Sequence, residues 1–163
     1  MTLNSHDDII TLFDLFHDGG LEKVKSGSEG IDLYLMAPFL ASEEQEEYEA
    51  NIIVKLLSCK SVKCIYHRRI SNELVVGENR RKHYPTSIHE TSNNDEIAKL
   101  QLGILNASYD QTKGFVLHCT GLEIEYAEVF FDVKTVKLTD LNGNVFTIDS
   151  LQNQWSKWWE TIK

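Results

Sequence analysis

Residues 122–133 read "LEIEYAEVFFDV", and the alternation of apolar side chains in this stretch predicts the fold. Every second residue from Leu122 to Tyr126 is apolar, and so is every second residue from Val129 to Val133, but the two sets have opposite parity. One extra residue near Ala127, a β-bulge, brings both sets to the same side. The stretch therefore predicts a long, bent strand that wraps a core.

Further extended segments lie on both sides of this strand and are separated by short turns. They are "LEKVKS" (21–26), "IDLYLM" (31–36), "NIIVKLL" (51–57), "VKCIYH" (62–67), "LQLGILNASY" (100–109), "FVLHC" (115–119), "VKTVKLTDL" (133–141) and "VFTID" (145–149). Asn142-Gly143 between the last two is a strong hairpin signal. Consecutive hairpins predict antiparallel pairing, because parallel strands need long crossover connections.

Helices are predicted at the two ends of the chain. Ser5 begins the first helix, with Asp8 at the third position of a capping box. One helical face then carries Ile9, Leu12, Phe13 and Phe16, and "HDGG" (17–20) ends the helix. Asp149 or Ser150 caps the second helix, and its apolar stripe is predicted to pack on the sheet: Leu151, Trp155, Trp158, Trp159 and Ile162.

These elements predict one α+β domain over residues 1–163, in which helices flank a curved, mainly antiparallel sheet of meander or sandwich-like form. Two segments are predicted to be irregular. Residues 42–49, "SEEQEEYE", indicate a solvated loop or a short helix. Residues 77–95 form a polar loop that is long for one domain, and loops of this length are usually functional or disordered.

The composition restricts the classes of function. The chain has 25 acidic and 16 basic residues and a net charge of -9, which argues against nucleic acid as a partner and favours a cationic one. Three cysteines and an acidic N-terminus fit a reducing compartment, without a secretory signal. No stretch is long enough to cross a membrane. We therefore expect a soluble, cytoplasmic protein.

The dipeptide His17-Asp18 is the main candidate for chemistry, because an imidazole beside a carboxylate is a ligand set that metal ions accept. The other histidines lack ligand spacing, and the end of a helix explains His17 and the glycines equally well. On that second interpretation the Asp18 carboxylate accepts bonds from amides of the glycine turn, and losing them costs about 1 kcal/mol. No phosphate loop, nucleophile elbow or activated cysteine is present, so no catalytic residue or cofactor is predicted.

Two groups of charged residues remain as candidate binding sites. Glu123, Glu125, Glu128 and Asp132 project outward if the bulge is present, and they predict an acidic stripe that binds a basic protein. Arg80, Arg81 and Lys82 reverse the sign of the charge locally. They predict an anion-binding site, or else they pair with the acidic run 42–49.

The order of these segments resembles a group of small β-rich bacterial proteins. The shared features are "FHDGG" leading into "LEKV", then "IDLYLM" and "NIIVKLLSCKSVKCIYH", and later "FVLHCTGLEIEYAEVFFDV". In that group a His-Asp-Gly/Ala turn precedes alternating strands, and many members are immunity proteins of polymorphic toxin systems. The resemblance implies a bacterial, cytoplasmic, non-enzymatic binding protein.

We therefore expect a protein-binding module, with an immunity-type inhibitor that covers a basic toxin as the main hypothesis. A metal-dependent hydrolase that uses His17 and Asp18 is one alternative. A protein that binds a small apolar ligand is another. The sequence leaves the oligomeric state open, with a homodimer among the options.

Overall fold

The computed structural model describes residues 2–41 and 49–162 of the chain. The predicted acidic loop or helix at 42–49 lies outside the described residues except for Glu49. Its proposed pairing with the basic residues at 80–82 also falls outside this range.

The described residues form mainly strands. The helices are α1 (His6–Asp14), α2 (Asn94–Lys99) and α3 (Ile148–Ile162), with a short 3-10 helix at Pro38–Leu40. The first strands are β1 (Thr2–Leu3), β2 (Gly20–Ser26), β3 (Gly30–Met36), β4 (Ile52–Leu57), β5 (Val62–Arg69) and β6 (Val75–Val76). The later strands are β7 (Lys82–His83), β8 (Thr86–Thr91), β9 (Leu102–Asp110), β10 (Gly114–Gly121), β11 (Ile124–Phe131) and β12 (Thr135–Thr139).

Within the described ranges, ten strands join in one open, curved sheet in the order β1-β12-β4-β3-β2-β9-β10-β11-β5-β8. Neighbouring strands are antiparallel throughout. The small β6–β7 ladder extends the connection between β5 and β8. The predicted α+β class and its curved antiparallel sheet are confirmed. Short connections pair β2 with β3, β9 with β10 and β10 with β11, and a longer connection pairs β3 with β4. The strands β4 and β5 do not pair with each other despite the short turn between them, since β4 lies between β3 and β12 and β5 lies between β11 and β8.

The core lies between one side of the sheet and α1. Ser5 caps α1 as predicted, and its side chain accepts a bond from the amide of Asp8. The predicted apolar face of α1 is buried. The ring of Phe13 lies 5.4 Å from that of Phe131, which joins the helix to β11. Each such side chain contributes about 1.5–3 kcal/mol through its burial.

The predicted bulge exists, but it lies earlier in the chain than expected. The pairing of β11 with β5 shifts between Ile124 and Tyr126, so Glu125 is the extra residue rather than one near Ala127. Ile124, Ala127 and Val129 are all buried as a result. The bulge places Ile124 on the same side as Val129, Phe131 and Val133, but Tyr126 of the first apolar set points to the opposite side of the sheet. Leu122 remains 77% exposed, because it lies in the turn before β11.

The predicted hairpin around Asn142-Gly143 is reduced to one bridge between Thr139 and Val145. The carboxylate of Asp140 accepts bonds from the amides of Asn142 and Asn144, and this local turn replaces further strand pairing. These bonds lower the pKa of Asp140, and the side chain of Asn144 contributes most.

The C-terminal helix also begins differently from the prediction. The hydroxyl of Thr147 accepts a bond from the amide of Ser150, so Thr147 rather than Asp149 or Ser150 supplies the cap. Leu151 is buried, and Trp155 and Trp158 pack against the core. The stripe therefore packs as predicted at its start, while Ile162 at its end is 55% exposed.

The segment 77–95, predicted to be a long loop, is largely regular. It contains β7, β8 and the start of α2. The prediction failed because β8, "TSIHET", is polar except for Ile88 and therefore lacks the alternating apolar residues that indicate a strand. The helix α2 also corrects the expectation that helices occur only at the ends. Its cap is Asn93, whose side chain accepts a bond from the amide of Glu96.

We predict that Gly19→Ala strongly destabilises the fold. A Cβ at Gly19 would lie 2.5 Å from the carbonyl oxygen of Met36 and 2.8 Å from that of Phe16, so backbone would have to move. The matched control is Gly20→Ala, whose Cβ would meet nothing nearer than 3.7 Å. Urea unfolding should give a loss of about 2–3 kcal/mol for the first variant and under about 1 kcal/mol for the second. Equal losses would contradict this account.

Candidate functional site

The turn that contains His17 completes the edge of a strand. β2 pairs with β9 only at Gly20 and Leu21, so the next part of β9 has no strand on that side in the described chain. The end of α1 takes this place. Asp14 Oδ1 accepts a bond from the amide of Ala107 at 3.0 Å, and His17 Nδ1 donates to the carbonyl oxygen of Leu105 at 2.7 Å.

The backbone of the same turn continues the contact. The amide of Asp18 donates to Ile104 O at 3.1 Å, and the amide of Ile104 donates to Gly19 O at 2.9 Å. Asp18 has φ 68°, a left-handed conformation that costs a non-glycine residue about 1 kcal/mol or more. The end of α1 and the "HDGG" turn therefore bind β9 together, through the side chains of Asp14 and His17 and through the backbone of the turn.

This geometry assigns His17 and Asp18 a structural role. The hydrogen bonds found for the turn involve the Asp18 amide, whereas its carboxylate lies 3.5 Å from His17 Nε2. The expected bonds from the Asp18 carboxylate to the glycine amides are absent among those found in the described chain, and Asp14 supplies the structural carboxylate instead. The described residues also contain no group of three or more His, Cys, Asp or Glu that could hold a metal ion. The metal-hydrolase alternative thus has no ligand set in this part of the chain.

The turn also forms one wall of an open groove of about 580 Å³. Apolar side chains, including those of Met36 and Leu122, line much of the groove. Its two carboxylates already have partners, since Glu22 accepts a bond from the amide of Ala50 and Asp18 lies beside His17. The groove therefore offers mainly apolar surface, with Gln101 as a further polar residue of its lining.

The four acidic residues predicted as a stripe do not share one environment. Glu123 lies 3.8 Å from Arg68, and Glu125 bonds to Arg69. Glu128 lies on the outer side of β11, and Asp132 follows the end of that strand. Two of the four charges are therefore neutralised by arginines of β5, a strand that the sequence does not identify as the neighbour of β11.

The predicted anion-binding residues lie at the tip of the β6–β7 hairpin. Arg80 has φ 59°, and its amide donates to Gly77 O at 3.0 Å to close the turn. Arg80, Arg81 and Lys82 are all exposed. The three cations are consecutive in the chain and exposed, and the described structure adds no further residue to them as a binding site. Anion binding by these residues stays a prediction.

A hydrogen-bonded chain that the sequence analysis missed lies across β9, β10 and β11. Ser108 Oγ is 2.9 Å from His118 Nε2, and His118 Nδ1 is 2.7 Å from the hydroxyl of Tyr126. His67 of β5 contacts the ring of Tyr126, with 6.0 Å between ring centroids. These side chains are partly exposed. Most of their neighbours in the strands are either buried in the core, as Leu117, Cys119 and Ala127 are, or packed against it, as Ala107, Tyr109 and Tyr66 are. The partly exposed side chains lie on the side of the sheet that is opposite the core.

We call this surface the open face and define it by Ser108, His118, Tyr126, Glu128 and His67. Its signal in the sequence is weak. The residues are spread over four strands, and they meet only because the register places His118 opposite Glu128 and Tyr126 opposite His67. The register comes from tertiary pairing, so reading each segment alone does not reveal the cluster.

The open face can hold a partner more readily than it can support nucleophilic catalysis. Ser108 and His118 are close enough for a nucleophile and a base. However, the amide of Ala107 points to Asp14, so the next amide, that of Ser108, points to β10 and is used in the ladder. That amide is therefore not free to stabilise an oxyanion beside the serine. What remains is a rigid set of polar and aromatic groups.

The cysteines do not offer reactive thiols. Cys59, Cys64 and Cys119 are free and buried. Burial raises the pKa of Cys64 and that of Cys119 to about 12, and it raises the pKa of Cys59 as well. At neutral pH all three are therefore protonated, which excludes them as ready nucleophiles.

Comparison with known proteins finds no matching family model, no matching curated protein and no matching solved structure. The resemblance to immunity proteins therefore stays a prediction. None of the helices in the described part of the chain combines the length and the apolar character that crossing a membrane requires.

Asp14 and Asp18 should respond to mutation in opposite ways. Asp14→Ala removes the side-chain partner of the Ala107 amide and should lower the free energy of unfolding by about 1 kcal/mol. Asp18→Gly keeps the backbone bond to Ile104 and relieves the left-handed strain, so it should raise stability by up to about 1 kcal/mol. Urea unfolding of both variants measures this. Destabilisation by Asp18→Gly would show that the Asp18 carboxylate contributes to the turn.

The thiols should be protected as long as the chain is folded. Because the thiolate is the reacting form and the pKa of each cysteine is raised, we expect no reaction with Ellman's reagent at pH 8 over an hour. Adding urea above the unfolding midpoint should release all three thiols of the sequence. A thiol that reacts rapidly in the native protein would contradict this packing.

Proposed function

We propose that this chain is a non-enzymatic protein-binding module that uses the open face as its binding surface. The observation that carries the proposal is the hydrogen-bonded chain Ser108–His118–Tyr126 on a partly exposed sheet surface. Such groups are held in place before a partner arrives, so little side-chain entropy is lost on binding. Tyrosine in particular is enriched at protein interfaces, because it combines apolar area with a hydroxyl.

The surroundings of the chain support the same proposal. Phe130 lies on the same side of the sheet, between the ammonium groups of Lys63 and Lys113, at 5.9 and 5.7 Å from the ring centre. Glu128 lies directly opposite His118 and two residues before Phe130 on β11. Aromatic residues are enriched at protein interfaces and polar groups surround them at the rim, so these rings with hydroxyls and charges around them fit a binding surface.

The partner that we propose is a basic protein, and inhibition of a toxin in the bacterial cytoplasm is the biological role that fits this partner. The net charge of -9 would attract a basic partner at long range. The attraction would come from the whole chain more than from an acidic stripe, because Glu123 and Glu125 are already paired with arginines. Charge would therefore accelerate association, while the open face would provide the contacts that hold the complex.

Truncation of Tyr126 tests this proposal. A basic partner can be captured from the source cells on immobilised protein, then purified and measured by surface plasmon resonance. We expect Tyr126→Ala to weaken binding at least about tenfold, or about 1.4 kcal/mol. The control is Lys137→Ala on β12, far from the open face in the strand order, which should change affinity little. The association rate should also fall as salt is raised.

Melting curves must show that the Tyr126→Ala protein remains folded at the measuring temperature. If the folded variant binds like the wild type, the open face is not the binding surface. If the captured partner associates at a rate that is independent of salt, the electrostatic part of the proposal is wrong.

A further inference from the structure

The two outer strands of the sheet differ in length. In the described chain β1 ends the sheet with two residues, whereas β8 ends it with six. A long outer strand is a template for another strand, and proteins usually shorten such strands or block them with lysine or proline. β8, with the sequence "TSIHET", contains neither residue. Its carboxylate, Glu90, is paired with Lys63 at 3.1 Å.

The ladder between β5 and β8 determines which backbone groups point outward. The amide of Ile70 donates to Pro85 O at 2.9 Å, so residues 70 and 85 form a hydrogen-bonded pair. Such pairs alternate along antiparallel strands. Ser87, His89 and Thr91 therefore turn their amides and carbonyls toward β5. Those of the other three residues of β8 turn to the outside: Thr86, Ile88 and Glu90.

We propose that a second copy of this chain binds here, with the two β8 strands antiparallel and centred on Ile88. In this register Ile88 lies opposite Ile88 of the other copy, and Thr86 lies opposite Glu90 in both directions. Each of these residues carries one amide donor and one carbonyl acceptor, so the register pairs every outward backbone group of β8. The two sheets become one continuous sheet.

The side chains favour this register over its neighbours. Residues opposite each other in an antiparallel pair point to the same face, so the two Ile88 side chains come into contact. Ile88 is 69% exposed in the single chain, which is unusual for an isoleucine in the middle of a strand. A register centred on Glu90 would oppose two carboxylates, and one centred on His89 would oppose two imidazoles. The register centred on Ile88 opposes no like charges.

Other exposed apolar side chains lie at this end of the sheet. Ile70 follows β5, and Val76 lies in the β6–β7 hairpin that joins β5 to β8; both are 67% exposed. Leu74 and Val75 of the same connection are also exposed. Exposed apolar groups that gather beside an open strand are typical of a surface that a partner covers.

Pairing through β8 would leave the open face accessible. Ile88 lies opposite His67 in the β5–β8 register, so its side chain is on the same side of the sheet as the open face. A two-fold axis perpendicular to the sheet keeps both open faces on one side of the dimer. The dimer would therefore display two copies of the surface that we propose for partner binding.

Sedimentation and light scattering test the association. The wild type should reach twice the monomer mass of 18.7 kDa as its concentration is raised through the micromolar range. Ile88→Lys, which places like charges at the centre, should raise the dissociation constant at least about tenfold. Leu122→Lys is the matched control, because Leu122 is 77% exposed and lies outside the proposed interface, and it should dimerise like the wild type.

A cysteine pair tests the register itself. Directly opposite, hydrogen-bonded residues have Cα atoms about 5.5 Å apart, within disulfide range, so Ile88→Cys should form a disulfide-linked dimer under mild oxidation. Two copies of Ser87→Cys would be offset along the strands by two residues and about 8 Å apart, which is too far. The native cysteines are buried and should not interfere.

A wild type that stays monomeric at all concentrations would overturn the proposal, and so would a dimer that Ile88→Lys leaves intact and Ile88→Cys fails to link. If the wild type is monomeric and Ile88→Lys abolishes its binding to another protein, the β8 edge binds that protein and the proposed dimer is wrong. These outcomes are independent of the Tyr126 test, because the two surfaces carry separate mutations.

Discussion

The fold depends on how the end of α1 closes the exposed side of β9. β2 pairs with β9 at Gly20 and Leu21 only and then continues with β3. Without a substitute, the amides and carbonyls of the next residues of β9 would lose their partners near the core, at a cost of about 1–3 kcal/mol each. The "HDGG" turn at 17–20 provides that substitute, because a helix end can present side chains and turned backbone together.

This arrangement explains why the turn contains these residues. Gly19 lies where any Cβ would meet two carbonyl oxygens, and His17 reaches across to the backbone of Leu105. A motif that looks like half of a metal site is thus used to join a helix to a sheet. The same junction connects the β2–β3–β4 half of the sheet to the β9–β10–β11 half, which positions the strands of the open face.

The open face and the β8 edge are consequences of a sheet that does not close. A barrel pairs all its strands, but an open sheet leaves one outer strand at each end. In the described chain, the outer strand β1 has two residues and the outer strand β8 has six. The strands between them bury one side of the sheet and expose the other. Tyr126 and His118 therefore meet on an accessible surface, and the hydrogen bond between them holds both side chains in place. Both features suit binding to other chains.

Sequence reasoning predicted most strands and the first helix, because their signals are local. Ser5 with the apolar face of α1 and the alternation in "IDLYLM" are examples. It failed for β8, because an exposed outer strand does not need the alternating apolar residues that identify a buried strand. It also failed for the hairpin at 142–143, where the Asp140 carboxylate stabilises a local turn instead of further strand pairing. It also missed the pairing of Glu125 with Arg69, because the two residues are distant in the chain.

The sequence by itself determined the class of structure, since hydrophobic period, caps and turns act over a few residues. Only the tertiary structure decided which strands are neighbours, and therefore which side chains share a surface. Register depends on contacts between segments far apart in the chain, and a shift of one residue exchanges the buried and exposed faces of a strand. For this reason Ser108, His118 and Tyr126 form a cluster in the fold that no local pattern predicts, while the acidic residues predicted as a stripe are divided among separate partners.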